Sequence, residues 1–461
     1  MSVEGLRAGT EKMRAAGLPE VAIETFAHYY RALEAGETGL IAEAEIEPAA
    51  DVAALDDLAE PAGRDLLDAA VVLKLNGGLG TSMGMTRAKS LIEAKDGHTF
   101  LDLIARQVLA LRAATGARLP LVLMDSFATR EDSLAALAAH ERIASDLPAD
   151  FLQGMEPKLS ASDLTPVAWP ADPALEWCPP GHGDLYTALQ TSGLLERMLA
   201  AGYRWAFVSN SDNLGAVLDA RILAWMAAEG APFVMEVTRR TPADRKGGHI
   251  ARRRSDGSLL LRESAQTPEQ DLPALQDIDR HRWVNTNNLW LDLRALAAEL
   301  ERRGGVLGLP LIRNRKTVDP ADPSSPAVLQ IETAMGAALG VIDGARVVAV
   351  PRTRFAPVKT TDDLLVLRSD AYVIGEGAVV EPAPGRAEPP FVALDPARFR
   401  LVADFEQRVA GGVPSLRECD RLVVRGDVWF GPGVVVRGDV EVDAGDGTLR
   451  LSDTILDGQP A

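Results

Sequence analysis

Residues 71–90, VVLKLNGGLGTSMGMTRAKS, gather the side chains and glycines best able to grip an anion. An aliphatic run ends in Leu75 and Asn76. Gly77, Gly78, Gly80 and Gly84 follow, with Thr81 and Ser82 between them and Lys89 beyond. Glycine admits positive φ, so such a turn can aim successive backbone N–H groups inward as an anion nest. Lys89 could then meet a terminal phosphate as a point charge. The Walker A pattern is absent, because no Gly-Lys-Ser/Thr closes the loop. Gly-x-Gly-x-x-Gly is absent too, since Gly84 comes one position late after Gly78 and Gly80. Taken alone, these residues leave a phosphate cradle and a plain tight turn both open.

Other stretches carry complementary chemistry. PPGHGDLYTAL (179–189) sets Gly181, His182 and Asp184 ahead of a helix. SNSDNLGA (209–216) puts Asn210 and Asp212 at a strand end. An Asp there caps a helix or, facing a phosphate loop, lets Mg2+ bridge carboxylate and phosphate oxygens. RKGGHI (245–250) offers Gly248 for close backbone approach, and NTNNLW (285–290) offers the amides of Asn285 and Asn287. Amides in apolar surroundings suit sugar hydroxyls, though Asn also simply forms turns. LQIETAMGAAL (329–339) is expected to set Glu332 at the start of a helix, a position the helix dipole favours without any ligand. APVKTTDDLL (356–365) sets Lys359 just ahead of another helix, as a second phosphate contact or a solvent-facing lysine. No nucleophile stands beside a base and histidines number six, so neither a hydrolytic triad nor a histidine-rich metal site is expected.

The elements that must position these residues follow from hydrophobic rhythm. AVVLKL, LPLVLMD, WAFVSNSD, APFVMEV, WVNTNNLWL and RVVAV are short and rich in branched or aromatic residues, which predicts strands. Helical patterns over 101–114, 133–144 and 185–200 lie between them, so a largely parallel α/β sheet covered on both faces is expected. Ligands of such sheets collect at the carboxyl ends of strands, where Asn76, Asp125, Asp212 and the residues after Val284 would share one crevice. Earlier, Phe26, Tyr29, Tyr30 and Leu33 recur at helical spacing. Near the end, VVRGDV occurs at 423–428 and again at 435–440, twelve residues apart. Branched strands turned by glycine at six-residue steps suggest a parallel β-helix, with RGD as its repeated turn. The expected division is a helical segment over 1–55, a catalytic α/β domain over 56–360 and a β-helix over 361–461.

Bulk properties narrow the partners. The formal net charge of −18 over 461 residues argues against a general nucleic-acid binder, which needs a basic face. No run approaches the ~18 to 20 apolar residues of a membrane span. Cys178 and Cys419 lie too far apart in sequence for a disulfide framework or a four-cysteine zinc site. The charged N-terminal stretch lacks the apolar core of a signal peptide, so a cytoplasmic protein is expected.

In their order, LKLNGGLGTSMG…KS, GHGD, NSDNLGA, KGGH, NTNNLW, ETAMGAA and PRTRFAPVKTTDDLLVLRSD resemble the eukaryotic-type UTP–glucose-1-phosphate uridylyltransferase family. YYRALEAGETGLIAEAEIEP is similar to that family's lead-in. The resemblance spans roughly residues 26–372, and the repeated tail fits the family's C-terminal left-handed β-helix. It implies a glycosyltransferase-A-like α/β sandwich with a mixed sheet. It also implies a Mg2+-dependent, reversible conversion of UTP and glucose 1-phosphate to UDP-glucose and pyrophosphate. By motif, Leu75, Asn76, Gly77, Gly78, Gly80 and Thr81 would hold the nucleotide, and Lys89 the leaving pyrophosphate. Gln153 would read uracil, with Gly181 and His182 completing that side. Asp212 would hold Mg2+ and Asn210 would help place phosphate or sugar. Gly248, Asn285, Asn287 and Glu332 would surround glucose, and Lys359 would contact the reacting phosphates.

Two departures stand out. MTRAKS (85–90) replaces the family's Cys-x-Gly-Pro-Lys-Ser, which puts Arg87 near the pyrophosphate. EPK (156–158) replaces a usual Pro-Arg pair beside the uracil glutamine. Competing expectations are a pyrophosphorylase for another UDP-sugar, such as UDP-galactose or a UDP-N-acetylhexosamine, and a non-catalytic nucleotide-binding β-helix assembly protein. Lys89 and Lys359 beside Asp212 oppose the second. A hexapeptide acyltransferase would need a histidine within the repeats, and none of the six lies there. The tail could pack chains into a homo-oligomer or cap one chain.

Overall fold

Each aliphatic run between 70 and 349 becomes a strand because its alternate residues find a buried face on either side. The computed structural model describes residues 2–61, 63–386 and 388–458. The central strands are β1 (Ala70–Leu75), β2 (Leu121–Asp125), β3 (Trp205–Asn210), β4 (Phe233–Arg239), β5 (Trp283–Asp292) and β6 (Arg346–Ala349). Across the sheet the order is Ala53–Ala54, β6, β4, β5, β3, β1, β2, then Asp150–Leu152. Val72, Leu121, Leu123 and Phe207 face one core with Phe100 and Ile104. Val71, Leu73, Val122 and Val208 face the other with Leu185, Leu189 and Met198.

β1 pairs in parallel with both β2 and β3, so the glycine loop leaves the sheet between two neighbours whose carboxyl ends point the same way. Along this strand order the pairings are parallel, as expected, except at β5, which runs antiparallel to both β3 and β4. Between β4 and β5 the chain forms a hairpin, His249–Arg253 with Leu259–Arg262, in place of a helical crossover. Without a crossover, the returning strand must lie antiparallel. The sheet is therefore mixed.

The predicted helix over 101–114 spans Phe100–Thr115, opened by a Thr99 cap on the Asp102 N–H and closed at Gly116, φ 70°. The pattern over 133–144 becomes Arg130–Ala138 followed by a single 3-10 turn. The pattern over 185–200 splits into Leu185–Thr191 and Leu194–Ala200 at Gly193, also φ 70°. The N-terminal stripe of Phe26, Tyr29, Tyr30 and Leu33 lies on Glu20–Glu34 and is buried against Leu159, Leu311 and Ile331.

The tail forms a four-stranded sheet, Phe391–Ala393, Ser415–Phe430, Val435–Leu451 and Ile455–Asp457, in which every pairing is parallel. Val423 pairs with Glu441, eighteen residues on, and Phe430 with Leu451, twenty-one residues on. The two VVRGDV copies, twelve apart, therefore do not stack on each other. Their glycines Gly426 and Gly438 both take positive φ, 74° and 60°, so each RGD lies within a strand as a kink, next to a shift in pairing register, and not as a separate turn.

Candidate functional site

β1 delivers Asn76 into a buried polar knot rather than toward solvent. Its Nδ2 donates to Asp125 Oδ1 at 2.7 Å and Ser133 Oγ at 2.8 Å, and its Oδ1 accepts from Ser211 Oγ at 3.1 Å. The side chain thus spends its amide joining the ends of three strands, and only the backbone beyond it faces the crevice. Among the loop glycines before Thr81, only Gly80 takes positive φ, 63°. Gly77 is small for another reason: a Cβ there would lie 2.5 Å from Gln153 Oε1. Gly78 has open space where a Cβ would point, so the loop's outer face is free. Thr81 is exposed on the short 3-10 turn Thr81–Met83.

Opposite this loop stands the end of β3. Lys89 Nζ meets Asp212 Oδ2 at 2.7 Å, both side chains largely covered. Asp212 Oδ1 is buried without a protein partner among the described residues. The Asp212 carbonyl accepts from the Val358 N–H at 3.0 Å, and Asn213 bridges Pro357, which docks the segment carrying Lys359 onto the same strand end. Lys359 is exposed, and its own N–H donates to Asp363 Oδ2 at 2.7 Å ahead of the helix Thr361–Arg368. Asn210, the last residue of β3, pairs with Leu75 across the sheet. Loop and Lys89, carboxylate and Lys359 thus come together from three separate stretches, 71–90, 209–216 and 356–365.

Gln153 comes against Gly77 from the Asp150–Leu152 side, and the neighbouring Gly154 N–H donates to Asp184 in the loop that carries Gly181 and His182. The Gln153 N–H donates to the Asp125 carbonyl at 2.8 Å, fixing its approach to Gly77. Gly181 takes φ 79°, and a Cβ on it would lie 2.6 Å from the Thr333 carbonyl. A two-way ladder, Gly183 N–H to Thr333 O at 2.8 Å and Thr333 N–H to Pro180 O at 3.0 Å, binds this loop to the ETAMG segment. His182 Nδ1 accepts from the Met335 N–H at 3.1 Å, which leaves Nε2 to carry the ring proton. Burial pulls its pKa down, so the ring stays neutral near pH 7. Burial pushes the Asp184 carboxyl up to about 6 even though the Gly154 N–H donates to it.

A bulge in β5 supplies the remaining polar face. Met235 pairs with Leu289 and Val237 with Asn285, so residues 286–288 oppose Glu236 alone. Asn287 takes φ 58°, and Asn285 and Asn287 bond each other through Nδ2 to Oδ1 at 2.8 Å. The Gly248 carbonyl accepts from the Asn285 N–H at 3.0 Å, and a side chain at Gly248 would run into the Glu263 carboxylate. Glu263 is a residue the sequence reading missed, because RESAQ carries no spacing signal. Burial raises its carboxyl, while Lys359 and Asn285 pull it the other way.

Glu332 corrects an expectation. It ends the strand Ala327–Glu332 instead of opening a helix, because residues 327–332 pair fully with Ile312–Thr317. Its Oε1 accepts from Asn314 at 3.0 Å and Lys316 at 3.3 Å, a Cβ on Gly181 would lie 3.1 Å from the Glu332 Cβ, and its charge acts on His182. Gly336, further along the same segment, is what approaches Asn285.

Behind the crevice lies a buried ionic support that strand patterning hid. Glu236 accepts from Arg354 at 2.6 and 2.8 Å, from Trp290 Nε1 at 2.9 Å and from Asn288 Nδ2 at 3.0 Å. Lys74, in the middle of an aliphatic run, donates to Ser209 Oγ at 2.7 Å and the Ala216 carbonyl at 2.8 Å. Burial, with Arg354 nearby, lowers its pKa to about 7. Of the departures, Arg87 is exposed and makes no side-chain bond among the described residues. Lys158 is buried and spends its amine on the Val318 carbonyl at 2.7 Å. Among the described residues no cluster of three or more His, Cys, Asp or Glu forms a metal cage. No described helix is long and apolar enough to cross a membrane.

The UTP–glucose-1-phosphate uridylyltransferase family model matches residues 23–437. A UTP–glucose-1-phosphate uridylyltransferase of Solanum tuberosum is 42% identical over 394 residues, 85% of this chain and 80% of that protein. One of Saccharomyces cerevisiae is 40% identical over 394 residues, 84% of this chain and 76% of that protein. Among solved structures, a variant of UDP-glucose pyrophosphorylase from Leishmania major in complex with UDP-glucose superimposes with a TM-score of 0.91 at 44% identity. It covers 98% of this chain and 99% of that one. UDP-glucose phosphorylase of Trypanosoma brucei gives a TM-score of 0.91 at 42% identity, covering 99% and 100%.

Proposed function

The chain belongs to the UTP–glucose-1-phosphate uridylyltransferase family, and from that premise we propose how its residues divide the work. The enzyme converts UTP and glucose 1-phosphate to UDP-glucose and pyrophosphate. An oxygen of the sugar phosphate attacks the α-phosphorus of UTP as the bond to the β-phosphate oxygen breaks. The attacking oxygen is already anionic, so no general base is needed. The barrier is the approach of two polyanions, and positioning with charge neutralisation lowers it.

The observation that carries this reading is the Lys89–Asp212 pair beside the free face of the glycine loop. Backbone groups from Leu75 to Thr81 receive the triphosphate, and Asn76 holds the loop from behind. Lys89 takes the leaving pyrophosphate and Lys359 the reacting phosphates. Gln153, Gly181 and the neutral His182 face uracil. Asn210, Gly248, Asn285 and Asn287 face the sugar, with Glu263 as an acceptor for its hydroxyls and Glu332 bracing the His182 loop. Asp212, with one oxygen unpartnered, suits Mg2+, which takes few protein ligands and completes its shell with phosphate oxygens and water. When bound, that ion supplies neutralisation of phosphate charge.

We read the tail as a left-handed β-helix, since parallel pairing at offsets of eighteen to twenty-one residues suits coils of three short strands. Its edge strands are a site through which copies could form a homo-oligomer. The division into 1–55, 56–360 and 361–461 follows the same reading. Both cysteines are unpaired, as a reducing cytoplasm allows. The test is pyrophosphate release from UTP and Mg2+ with a panel of sugar 1-phosphates. Glucose 1-phosphate should give the highest kcat/KM; a better rate with another sugar would re-rank the substrate, and no release would overturn the site assignment.

A further inference from the structure

Asp125 ends β2 with its side chain fully buried, directly behind the nucleotide loop. Its Oδ1 accepts from Asn76 Nδ2 at 2.7 Å and Thr129 Oγ1 at 3.1 Å, while Oδ2 is buried with no protein partner among the described residues. A carboxylate needs both oxygens satisfied when ionised, and here one has nothing to accept from. The groups around it do not neutralise it. Asn76 faces it from the loop, and Thr129 and Ser133 from the turn and helix beyond β2. Asp150 faces it from the next strand, but Arg130 already pairs with Asp150 at 2.7 Å. Lys89, across the loop, is paired with Asp212.

We propose that Asp125 is a proton-linked positioning residue: neutral, it anchors Asn76 and the loop, and ionised it places a buried negative charge behind the backbone that receives phosphates. Burial, reinforced by the Asp150 charge, raises its pKa to about 6, which puts the change within the working range. The inference rests on residues 75–81 holding the nucleotide. Phosphate oxygens at the loop favour the protonated form of Asp125, so binding takes up a proton and weakens as pH rises through about 6.

UDP-glucose is the suitable probe, because its diphosphate has no group titrating between pH 5 and 8. In the full-length protein, the Kd measured by calorimetry should rise on the order of tenfold between those limits, the size of one added charge in a partly shielded site. Titrations near pH 6 in buffers of different ionisation enthalpy should report proton uptake. Asp125→Asn keeps the acceptor oxygen for Asn76 and Thr129 and should bind at the tight limit throughout, without that uptake. Asp150→Asn, which removes the neighbouring charge, should move the midpoint to lower pH and serves should the first variant not fold. A flat wild-type profile, or one that Asp125→Asn leaves unchanged, overturns the proposal while leaving nucleotide binding intact. Failure of the wild type to bind UDP-glucose at any pH overturns the underlying site reading instead.

Discussion

Lys359 and Lys89 are both amines aimed at phosphate, yet the fold uses them differently. Lys359 is exposed and its amine makes no hydrogen bond or ion pair among the described residues, so Lys359→Ala should lower kcat by about 100- to 1,000-fold while the melting temperature holds. Lys89 also neutralises a largely covered Asp212, so Lys89→Ala should lower both turnover and melting temperature. Steady-state kinetics beside thermal melts separate the two; a Lys359→Ala enzyme with near-normal turnover would remove that lysine from the site. Asp184 answers to a different measurement. Its folded pKa, about 6, lies above its unfolded value, so stability is lost as pH rises from about 4 to 6. Above that window the ionised carboxylate costs about 2–3 kcal/mol, an upper figure for a shift of that size. Asp184→Asn should therefore raise the urea midpoint at pH 8 and not at pH 4, and an equal effect at both would tie it to packing alone.

At the scale of elements, the β5 bulge turns one short motif into two sets of amides. Asn288 is fully buried and bonds Glu236 and the Arg354 carbonyl, whereas Asn285 and Asn287 bond each other on the crevice side. Asn288→Ala should lose about 1–3 kcal/mol in denaturant unfolding, because Glu236 keeps its charge and loses a donor. Asn285→Ala should hold stability and raise KM for glucose 1-phosphate instead; the reverse pattern would show that the bulge faces the other way. NTNN announced polar amides in the sequence, but which of them face a ligand depends on a register shift against β4 that no local signal encodes. The same limit hid Glu263, Lys74 and the Glu236–Arg354 pair, whose partners lie 52 to 142 residues away or arrive through a hairpin. What was legible was local: strands that stop just before Asn76 and Asp212, glycines where backbones meet, and a capped helix after Lys359. Glu332 misled because its small-residue neighbours suit a helix, while pairing with Ile312–Thr317 extends the strand.

Across the whole molecule one apolar core joins the catalytic sheet to the tail. Val72 and Phe207 of the sheet, Leu364 and Leu365 of the helix after Lys359, and Phe399, Phe405, Leu416 and Val428 of the tail belong to a single buried cluster. Polar ties reinforce it: Arg368 pairs with Glu406 at 2.7 Å, the Leu416 N–H donates to Asp370 Oδ1 at 2.8 Å, and Lys95 reaches the Ser369 carbonyl at 2.7 Å. Leu401 packs close to Gly84, so the tail also touches the nucleotide loop. Units with separate cores unfold separately, whereas a shared core makes removal of one expose the other. Calorimetry should therefore show one transition whose calorimetric and van't Hoff enthalpies agree, despite the length of the chain. Phe405→Ala, in the tail, should shift that whole transition down, with a loss of about 3–5 kcal/mol, and activity should disappear at the same temperature. Two resolved transitions, with activity following only the one that Phe405→Ala leaves in place, would mean that the tail folds as a separate unit and that its contact with Gly84 is incidental.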